Sequence, residues 1–416
     1  MIEPVDVLGM GAEGPSGLSA RARARLSAAT FLAGGRRHLG LVKAGPAERF
    51  AIGDNLAGLV DRLRRRAPGE RSVVLASGDP LFYGIGHRLG SELGPEAIRV
   101  EPALSSMQLA FARAGLSWHD AAIASVHGRP LAEILLPLLG KPKIGLFTQD
   151  GSSPSAVARF FLGRGLGDYR ARVGERLGTA EERVEDLPIG DLPGRTFADL
   201  NFLILERTGW RAATHDGAGS RPFAIPDHLY AQPEAGPILL THADVRSVTL
   251  SRFRDASSGP IWDVGAGLGG VAVDLARAFP GSDVVAIERS EAQLAFLREN
   301  RARFAAYNLR VVAGEAPDCL AGEGRPSAIF LGGTGGRLAA ILGLAFDRLA
   351  EGGPLVANFV GLENLALFSE RVRGRGWPLD VAQIQVCHGR PLGGLTTLAP
   401  LRPVWIVRAT RPGAPG

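Results

Sequence analysis

One stretch of this 416-residue chain decides how its second half folds: IWDVGAGLGG, residues 261–270. Its opening residues, mostly apolar, predict a buried strand, and the glycine-rich remainder opens a pattern typical of a helix. Glycines between a strand and a helix let the backbone approach a ligand closely, because no Cβ blocks the way. Because the chain contains 56 glycines, glycine-rich triplets are expected by chance. The prediction of a ligand loop therefore rests on the place of these glycines between a strand and a helix.

An acidic residue two positions before the first glycine distinguishes two chemistries. Gly265, Gly267 and Gly270 satisfy the G-x-G-x-x-G pattern of nicotinamide dehydrogenases. Asp263 instead completes the D-x-G-x-G-x-G pattern of methyltransferases that use S-adenosylmethionine (SAM). A carboxylate there suits the ammonium and sulfonium charges of SAM and would repel a pyrophosphate. We therefore expect SAM, and a dinucleotide site or a glycine turn without a ligand are the alternatives.

The rest of the second half extends this cofactor site. Glu288 ends a second predicted strand, where its carboxylate can accept hydrogen bonds from both hydroxyls of a ribose. Loops after the third and fourth strands would lie at the adenine edge and at the floor where substrate meets the methyl group. The predicted cofactor residues of this half are Asp263, Gly265, Ala266, Gly267, Gly269, Glu288, Glu315, Ala316, Gly332 and Gly333.

Two α/β regions flank an irregular segment. Short apolar runs alternate with helical patterns before Arg207 and again after Thr241, which predicts mostly parallel sheets covered by helices. Between them, residues 209–237 are dominated by Gly, Pro and small polar residues without a period. We expect one domain over 1–208, a linker over 209–237 and a second domain over 238–416. Thr241 and Asp244 form a T-x-x-D capping signature before a helix.

Composition excludes several classes of protein. The chain is 45% hydrophobic and 21% charged, values of a globular protein and not of a disordered one. No apolar run reaches the roughly 18–20 residues of a membrane helix, and the acidic start is unlike a secretory signal. Cys319 and Cys387 fit a reducing compartment and lack the spacing of a zinc site. We expect a cytoplasmic protein without a bound metal.

The net charge of +5 invites a nucleic-acid function, but its distribution does not support one. Arginines alternate with acidic residues along the chain and aromatic residues make up only 6%, whereas nucleic-acid binders concentrate basic charge and add exposed aromatics. Arginine forks also suit a substrate with several carboxylates. An RNA or DNA methyltransferase remains an alternative, although residues 358–360 read Asn-Phe-Val where an amine-methylating N-P-P-Y loop would be expected.

Five stretches of the first half share their order and spacing with a known family. They are VLGMGAEGPSGLS (7–19), LASGDPLFYGIG (75–86), VEPALSSMQLAFARAGL (100–116), SVHGRP (125–130) and LFTQDGSSPSAVARFFL (146–162). In this order they resemble the tetrapyrrole (corrin/porphyrin) methylases. The resemblance implies a two-lobed α/β fold, of the class III methyltransferases, whose loops line a cleft for SAM. The implied cofactor residues are Gly9, Gly11, Gly78, Asp79, Pro80, Ser105, Ser106, Thr148 and Asp150.

The second half resembles the decarboxylating precorrin methyltransferase domain, which has a Rossmann-like class I SAM-dependent methyltransferase fold. The resemblance rests on IWDVGAGLGG, VVAIER (284–289), VVAGEAP (311–317), IFLGGTGG (329–336) and RPLGGLTTLAPLRPVWIV (390–407). His242 departs from the pattern, because a lysine usually stands there.

Together the two resemblances imply methylation of a precorrin-6 type tetrapyrrole at carbons 5 and 15, with decarboxylation of an acetate arm, in cobalamin biosynthesis. We expect Arg246 and Arg390 to hold substrate carboxylates in the second domain, His127 and Arg129 to do so in the first, and Thr334 to lie at the floor of the site. We also expect a homo-oligomer that binds neither nucleic acid nor membranes. A protein that binds a tetrapyrrole without catalysis is the remaining alternative.

Overall fold

The computed structural model describes residues 2–43, 45–151, 153–199, 201–209, 224–234, 240–254, 256 and 259–413. The chain forms two compact units, which divide it near residue 210 except that 130–140, with the helix Leu131–Leu135, and 163–166 belong to the second unit. Most of the predicted linker, residues 209–237, lies outside the described residues. Over the described ranges, no helix is long and apolar enough to cross a bilayer.

The described part of the first unit begins with a five-stranded parallel sheet in the order β3-β2-β4-β1-β5. Its strands are β1 (Val5–Met10), β2 (Phe31–Gly35), β3 (Glu48–Ile52), β4 (Ser72–Ser77) and β5 (Ile98–Glu101). Its helices are α1 (Ala20–Ser27), α2 (Arg36–Leu41), α3 (Leu56–Arg64), α4 (Ile85–Leu93) and α5 (Ser106–Ala114). Every residue of β1 is buried, as expected of a central strand covered on both faces.

A second sheet follows in the same unit, in the order β6-β7-β10-β8-β9. Its strands are β6 (Ala122–Ser125), β7 (Lys143–Phe147), β8 (Tyr169–Glu175), β9 (Arg183–Pro188) and β10 (Asn201–Arg207), and the chain between β6 and β8 also forms α6 (Leu131–Leu135) and α7 (Ser153–Leu162). Only β6 and β7 pair in parallel among its described strands, so the expectation of a mostly parallel sheet is wrong here. The two sheets confirm the two-lobed α/β fold.

The second unit contains a seven-stranded sheet, over its described residues, in the order β13-β12-β11-β14-β15-β19-β16. Its strands are β11 (Ile261–Val264), β12 (Val284–Glu288), β13 (Leu309–Ala313), β14 (Ala328–Leu331), β15 (Pro354–Phe359), β16 (Leu379–Ile384) and β19 (Val404–Thr410). Its helices are α8 (Ala243–Ser251), α9 (Gly270–Ala278), α10 (Glu291–Arg303), α11 (Leu338–Arg348) and α12 (Leu362–Gly374). The strands β17 (Cys387–Leu392) and β18 (Leu395–Pro400) form a separate hairpin that the sequence did not predict.

The order of the strands positions the site. The chain runs from β11 outward through β12 to β13, then returns to the other side of β11 as β14 and β15, and these five strands are parallel. The order therefore reverses between β11 and β14. In open parallel sheets, ligands bind beyond the carboxyl ends of the strands at such a reversal. The Rossmann-like fold expected for this half is confirmed, with β19 antiparallel to its neighbours.

Helix α8 begins differently from the prediction. Its N-cap is His242, and a ring nitrogen of that side chain accepts a hydrogen bond from the backbone N–H of Asp244 at 3.3 Å. The predicted T-x-x-D capping box is therefore wrong, because the N-cap is the residue after Thr241 and the helix starts at Ala243.

Arg246, on α8, is buried and does not reach solvent. Its Nε donates to Asp274 at 2.7 Å and one terminal nitrogen donates to Asp227 at 2.6 Å. Further donor bonds reach the carbonyl oxygens of Thr241 and Ile225. The prediction that Arg246 holds a substrate carboxylate is wrong, because its guanidinium is enclosed by these partners. Instead it fastens the segment 224–234 and α8 to α9.

Replacing Arg246 with methionine should lower the free energy of unfolding by about 3–5 kcal/mol, because the carboxylate of Asp274 would stay buried without its cation. Urea unfolding followed by the fluorescence of Trp262, Trp377 and Trp405 would measure the change. Arg371→Met, at an exposed position of α12, is the matched control and should shift stability by less than about 0.5 kcal/mol. Equal effects of the two substitutions would contradict a structural role for Arg246.

Candidate active site

A cavity of about 1000 Å³ lies at the carboxyl ends of the parallel strands of the second unit. It is lined by residues that follow β11, β12, β13 and β14, as the reversal of strand order predicts. The predicted residues that line it are Asp263, Gly265, Ala266, Gly267, Glu288, Glu315, Ala316, Gly332, Gly333 and Thr334.

The glycines at the floor of the cavity bring two loops into backbone contact. Gly265 has a φ of +74°, and a Cβ on it would lie 2.5 Å from the backbone nitrogen of Gly333. The N–H of Gly332 donates to the carbonyl oxygen of Val264 at 2.9 Å. A side chain at 265 would therefore separate the loops after β11 and β14.

Gly269 has a different role from the one predicted. It is not among the residues that line the cavity. It is the N-cap of α9 with a φ of +87°, and a Cβ there would collide with the side chain of Leu297 on α10. Its lack of a side chain thus serves the packing of two helices.

Glu288 is held in a fixed orientation at the end of β12. Its carboxylate accepts hydrogen bonds at 2.9 Å from the backbone N–H groups of Gly267, Arg289 and Ser290. A carboxylate offers about four acceptor positions, so three donors leave capacity for a ligand hydroxyl. Because Glu288 faces the cavity and is 8% exposed, that capacity is directed at whatever the cavity binds.

Asp263 is buried at the base of the same cavity without a partner. Its side chain is inaccessible to solvent, and within the described residues neither carboxylate oxygen has a hydrogen-bonding partner. Burial, reinforced by the nearby Glu288 carboxylate and opposed by the backbone N–H of Ala272, raises the pKa of Asp263 to about 8. An unpartnered buried carboxyl destabilises a fold, so its presence in a cavity wall indicates that it serves a ligand. The raised pKa leaves Asp263 protonated near neutral pH, so a cationic ligand would displace this proton and pair with the carboxylate.

Several residues of the cavity wall were not predicted as site residues from the sequence. The segment 224–234 carries no period or motif, yet it contributes side chains to the wall, and the oxygen of Gln232 is buried there without a partner among the described residues. Arg402 stands within the quoted stretch 390–407, but only the return of the chain into β19 places it at the cavity. The polar residues that line the cavity but were not among the predicted site residues are Asp227, His228, Gln232, Thr241, His242, Arg289, Gln293, Asn358 and Arg402.

Two arginines, Arg289 and Arg390, differ in their relation to the cavity. Arg289 donates to the carboxylate of Glu315 at 2.7 Å, which partly neutralises the predicted adenine edge. Arg390 is exposed on β17 and is not among the residues that line the cavity.

In the first unit, the predicted glycine loops meet at the carboxyl end of the parallel sheet. The N–H of Gly78 donates to the carbonyl oxygen of Met10 at 3.0 Å, and the N–H of Ala103 donates to that of Gly78 at 3.1 Å. A Cβ on Gly9 would lie 2.7 Å from the nitrogen of Ala103, and one on Gly78 would lie 2.8 Å from the Cα of Ser105. The loops after β1, β4 and β5 therefore form one tightly packed surface.

Other predicted residues of this unit shape its loops. Asp79 accepts from the N–H of Leu81 at 2.9 Å, the carbonyl oxygen of Pro80 accepts from Gly86 at 2.8 Å, and Ser105 caps α5 in a capping box that precedes Ser106. A Cβ on Gly11 would contact only the flexible carboxylate of Glu13. These contacts fix the turns of the loops.

The second lobe brings its predicted residues beside the loop after β4. Phe82 and Tyr83 pack against Phe147 with ring centroids 5.7 and 5.5 Å apart, immediately before Thr148. The hydroxyl of Thr148 is buried and donates to the carbonyl oxygen of Asn201 at 2.6 Å. Asp150 accepts from Ser153 at the start of α7. Contacts from both lobes thus meet at this point.

His127 and Arg129 are exposed in the loop after β6. A ring nitrogen of His127 lies 2.9 Å from the hydroxyl of Ser125. Burial of part of the ring lowers the pKa of His127, against the opposing effect of Asp150. The neutral imidazole is therefore favoured at neutral pH.

The two folds and the glycine-lined crevice of the second unit define the chain as a two-domain methyltransferase. A family model described as tetrapyrrole (corrin/porphyrin) methylases matches residues 5–193, and one described as the precorrin methyltransferase domain matches residues 235–411. A curated protein of Sinorhizobium, named precorrin-6Y C(5,15)-methyltransferase [decarboxylating], is 33% identical over 96% of this chain and 94% of its own length. The chain belongs to the precorrin-6Y C(5,15)-methyltransferase (decarboxylating) family, which confirms the expected resemblance.

Two shorter relatives each match 44% of the chain at 37% identity. One, from Salmonella typhi, is named cobalt-precorrin-6B C(15)-methyltransferase (decarboxylating) and is matched over 94% of its length. The other, from Salmonella typhimurium, is named cobalt-precorrin-7 C(5)-methyltransferase and is matched over 90% of its length.

The raised pKa of Asp263 predicts how stability depends on pH. Between its usual value of 3.8 and about 8, the folded protein holds a proton that the unfolded chain has lost, so stability falls as pH rises through this window. Asp263→Asn removes that loss. The gain in melting temperature of the variant over the parent should therefore be larger at about pH 8 than at about pH 5.

Thermal unfolding of the ligand-free proteins at the two pH values would measure this gain. Asp347→Asn, at an exposed position of α11, is the control and should give the same offset at both. A gain from Asp263→Asn that does not change with pH would show that the carboxyl titrates normally.

Proposed function

We propose that this chain uses SAM to methylate a precorrin-6 type tetrapyrrole at carbons 5 and 15 and removes carbon dioxide from an acetate arm, giving precorrin-8 on the route to cobalamin. Membership of the family supports the substrate and the reaction. The observation that supports SAM as the cofactor is the buried carboxyl of Asp263, which has no hydrogen-bonding partner among the described residues and lies beneath a glycine loop.

The residues of the cavity fit SAM in charge and in shape. The carboxyl of Asp263, once it has lost its proton, offers a negative charge to the ammonium and sulfonium groups, and the spare acceptor capacity of Glu288 suits the ribose hydroxyls. Glu315 and Ala316 would lie at the adenine edge, and Gly265 keeps the floor free of side chains. When bound, SAM supplies an electrophilic methyl group.

On the substrate side, the residues have to hold carboxylates and align an electron-rich carbon. Methyl transfer to such a carbon needs alignment and exclusion of water more than a strong base, which agrees with a cavity floored by glycines. Arg402 lines the cavity and is exposed, so it takes the anchoring role that Arg246 cannot perform. Arg390 would assist from the hairpin, and Thr334 would lie beside the reacting carbon.

We assign methylation of carbon 15 and the decarboxylation to the second domain, and methylation of carbon 5 to the first, where His127 and Arg129 would hold carboxylates. The names of the shorter relatives support this division, because the two activities occur there in separate proteins. We further propose a cytoplasmic homo-oligomer. The free thiols of Cys319 and Cys387 agree with a reducing compartment.

Calorimetric titration with SAM should show two binding events per chain in the parent protein and one in Asp263→Asn, because loss of the buried negative charge removes the attraction for the cationic ligand. Glu288→Gln should weaken the same event by at least about tenfold, since a charge-assisted acceptor is lost. Glu291→Gln, exposed on α10, is the matched control and should keep both events. Full binding by Asp263→Asn would exclude this cavity as a SAM site.

Mass spectrometry of products from precorrin-6B and SAM tests the whole reaction. The parent protein should add two methyl groups and remove one carboxyl. Gly78→Ala, whose Cβ would collide with Ser105, should stop after one methylation and the decarboxylation, whereas Gly40→Ala has open space around its Cβ and should behave as the parent. Loss of decarboxylation in Gly78→Ala would reverse the assignment of the domains, and no methylation by the parent would overturn the proposal.

A further inference from the structure

Three potential metal ligands come together at the rim of the second-unit cavity. Over the described ranges, His242, Asp244 and His388 each offer one ligand atom, and these atoms all lie within 4.8 Å of one another. Nδ1 of His242 is 3.2 Å from Oδ2 of Asp244, and Nε2 of His388 is 3.7 Å from the same oxygen. The two imidazole rings are neighbours, with centroids 4.8 Å apart.

These separations are close to those that a bound metal requires. Zinc binds histidine nitrogen and carboxylate oxygen at about 2.0–2.2 Å, so two ligands of a tetrahedral ion lie roughly 3.3–3.5 Å apart. Small rotations of exposed or half-exposed side chains would bring all three atoms to that spacing. The cost is the long hydrogen bond from the N–H of Asp244 to the His242 ring, and that N–H can turn to water because Asp244 is exposed.

A second observation, independent of the spacing, concerns the other nitrogen of His242. Its Nε2 lies 3.4 Å from Oδ2 of Asp227. Asp227 is itself held by Arg246 at 2.6 Å and by the backbone N–H of Ala243 at 3.2 Å. A histidine that binds metal through one nitrogen donates its other N–H to a carboxylate in most metal sites, because this fixes the tautomer and the ring. Asp227 is placed for that role.

The group of His242, Asp244 and His388 lies beside the cavity. His242 and Asp227 line the cavity, whereas Asp244 and His388 lie at its outer edge and are about half exposed. Three protein ligands with a free coordination position are typical of sites at which a metal binds an exogenous ligand.

We propose that His242, Asp244 and His388 form a binding site for a divalent transition-metal ion, such as Zn²⁺, with a free position directed at the cavity. Two imidazoles and one carboxylate favour such an ion over Mg²⁺ or Ca²⁺, which take oxygen ligands. The free position would accept a carboxylate oxygen of the substrate. That last assignment rests on the proposed function, whereas the metal site itself does not.

No ligand spacing along the sequence predicts this group, because Cys387 and His388 are adjacent without a second Cys-His pair near them. His242 and His388 lie at opposite ends of the domain and meet only because the hairpin follows β16 back across the start of α8. Alternation along β17 directs Cys387 to the face opposite His388.

Zinc binding can be measured on the full-length, untagged protein after treatment with a chelator. Calorimetric titration with zinc chloride, without SAM or substrate, should show one equivalent bound per chain. His388→Ala and Asp244→Asn should each weaken that binding by at least about tenfold. Both positions are exposed, and unchanged thermal unfolding would show that the variants are folded.

Two matched variants separate this site from other zinc-binding side chains. His119→Ala removes an exposed histidine of the first unit, and Cys387→Ser removes the thiol beside His388; both should bind zinc as the parent does. The proposal would be overturned if the parent bound no zinc at micromolar concentrations, or if His388→Ala bound it as tightly. Because the titration involves no methyl transfer, its result is independent of whether the proposed reaction is observed.

Discussion

The stability and the ligand binding of the second domain depend on two buried carboxyl groups, of which one has partners within the protein and the other does not. Asp274 receives hydrogen bonds from Arg246, Tyr230 and the backbone N–H of Ile225, so its charge is compensated within the protein. Asp263 has the same chemical group, equally buried, and no such partner among the described residues. Burial without compensation costs several kcal/mol unless a ligand supplies the partner. Asp274 therefore stabilises the fold, whereas Asp263 is available to a ligand.

Asp274, together with Arg246, also holds the segment 224–234 that contributes to the cavity wall. The segment 224–234 has no strand and little helix, so few backbone hydrogen bonds hold it to the domain. The buried guanidinium of Arg246 attaches one end of the segment through Ile225 and Asp227, and it positions Asp227 against His242. Asn300 holds the other end through two hydrogen bonds with the backbone of Ala231. A structural ion pair inside the domain thereby determines the geometry of the rim.

Local signals in the sequence predicted the parallel strands, the glycine loop and the acids at the strand ends, because each depends on neighbours within a few residues. Residues whose role depends on distant contacts were predicted poorly. Arg246 and Arg402 look alike in sequence, yet one is enclosed by Asp274 and the other is exposed at the cavity. Strand β8 forms no continuous apolar run, because arginines interrupt its apolar residues, although burial at Tyr169, Ala171 and Val173 follows the period of two expected for an antiparallel strand.

The distribution of charge explains how one cavity could accept two ligands of opposite charge. Its acids, Asp263 and Glu288, are buried at the strand ends, where a bound cation would ionise Asp263 and the low dielectric would strengthen the attraction. Its arginine at the mouth, Arg402, is exposed, where a guanidinium can bind the carboxylates of a polyanion without being desolvated. A cationic methyl donor would therefore be drawn inward while an acid-fringed macrocycle is held at the mouth. If the arginine lay at the floor and the acids at the mouth, the carboxylates of the macrocycle would be attracted to the floor of the cavity. The methyl donor and the carbon to be methylated would then compete for the same place and would not be aligned.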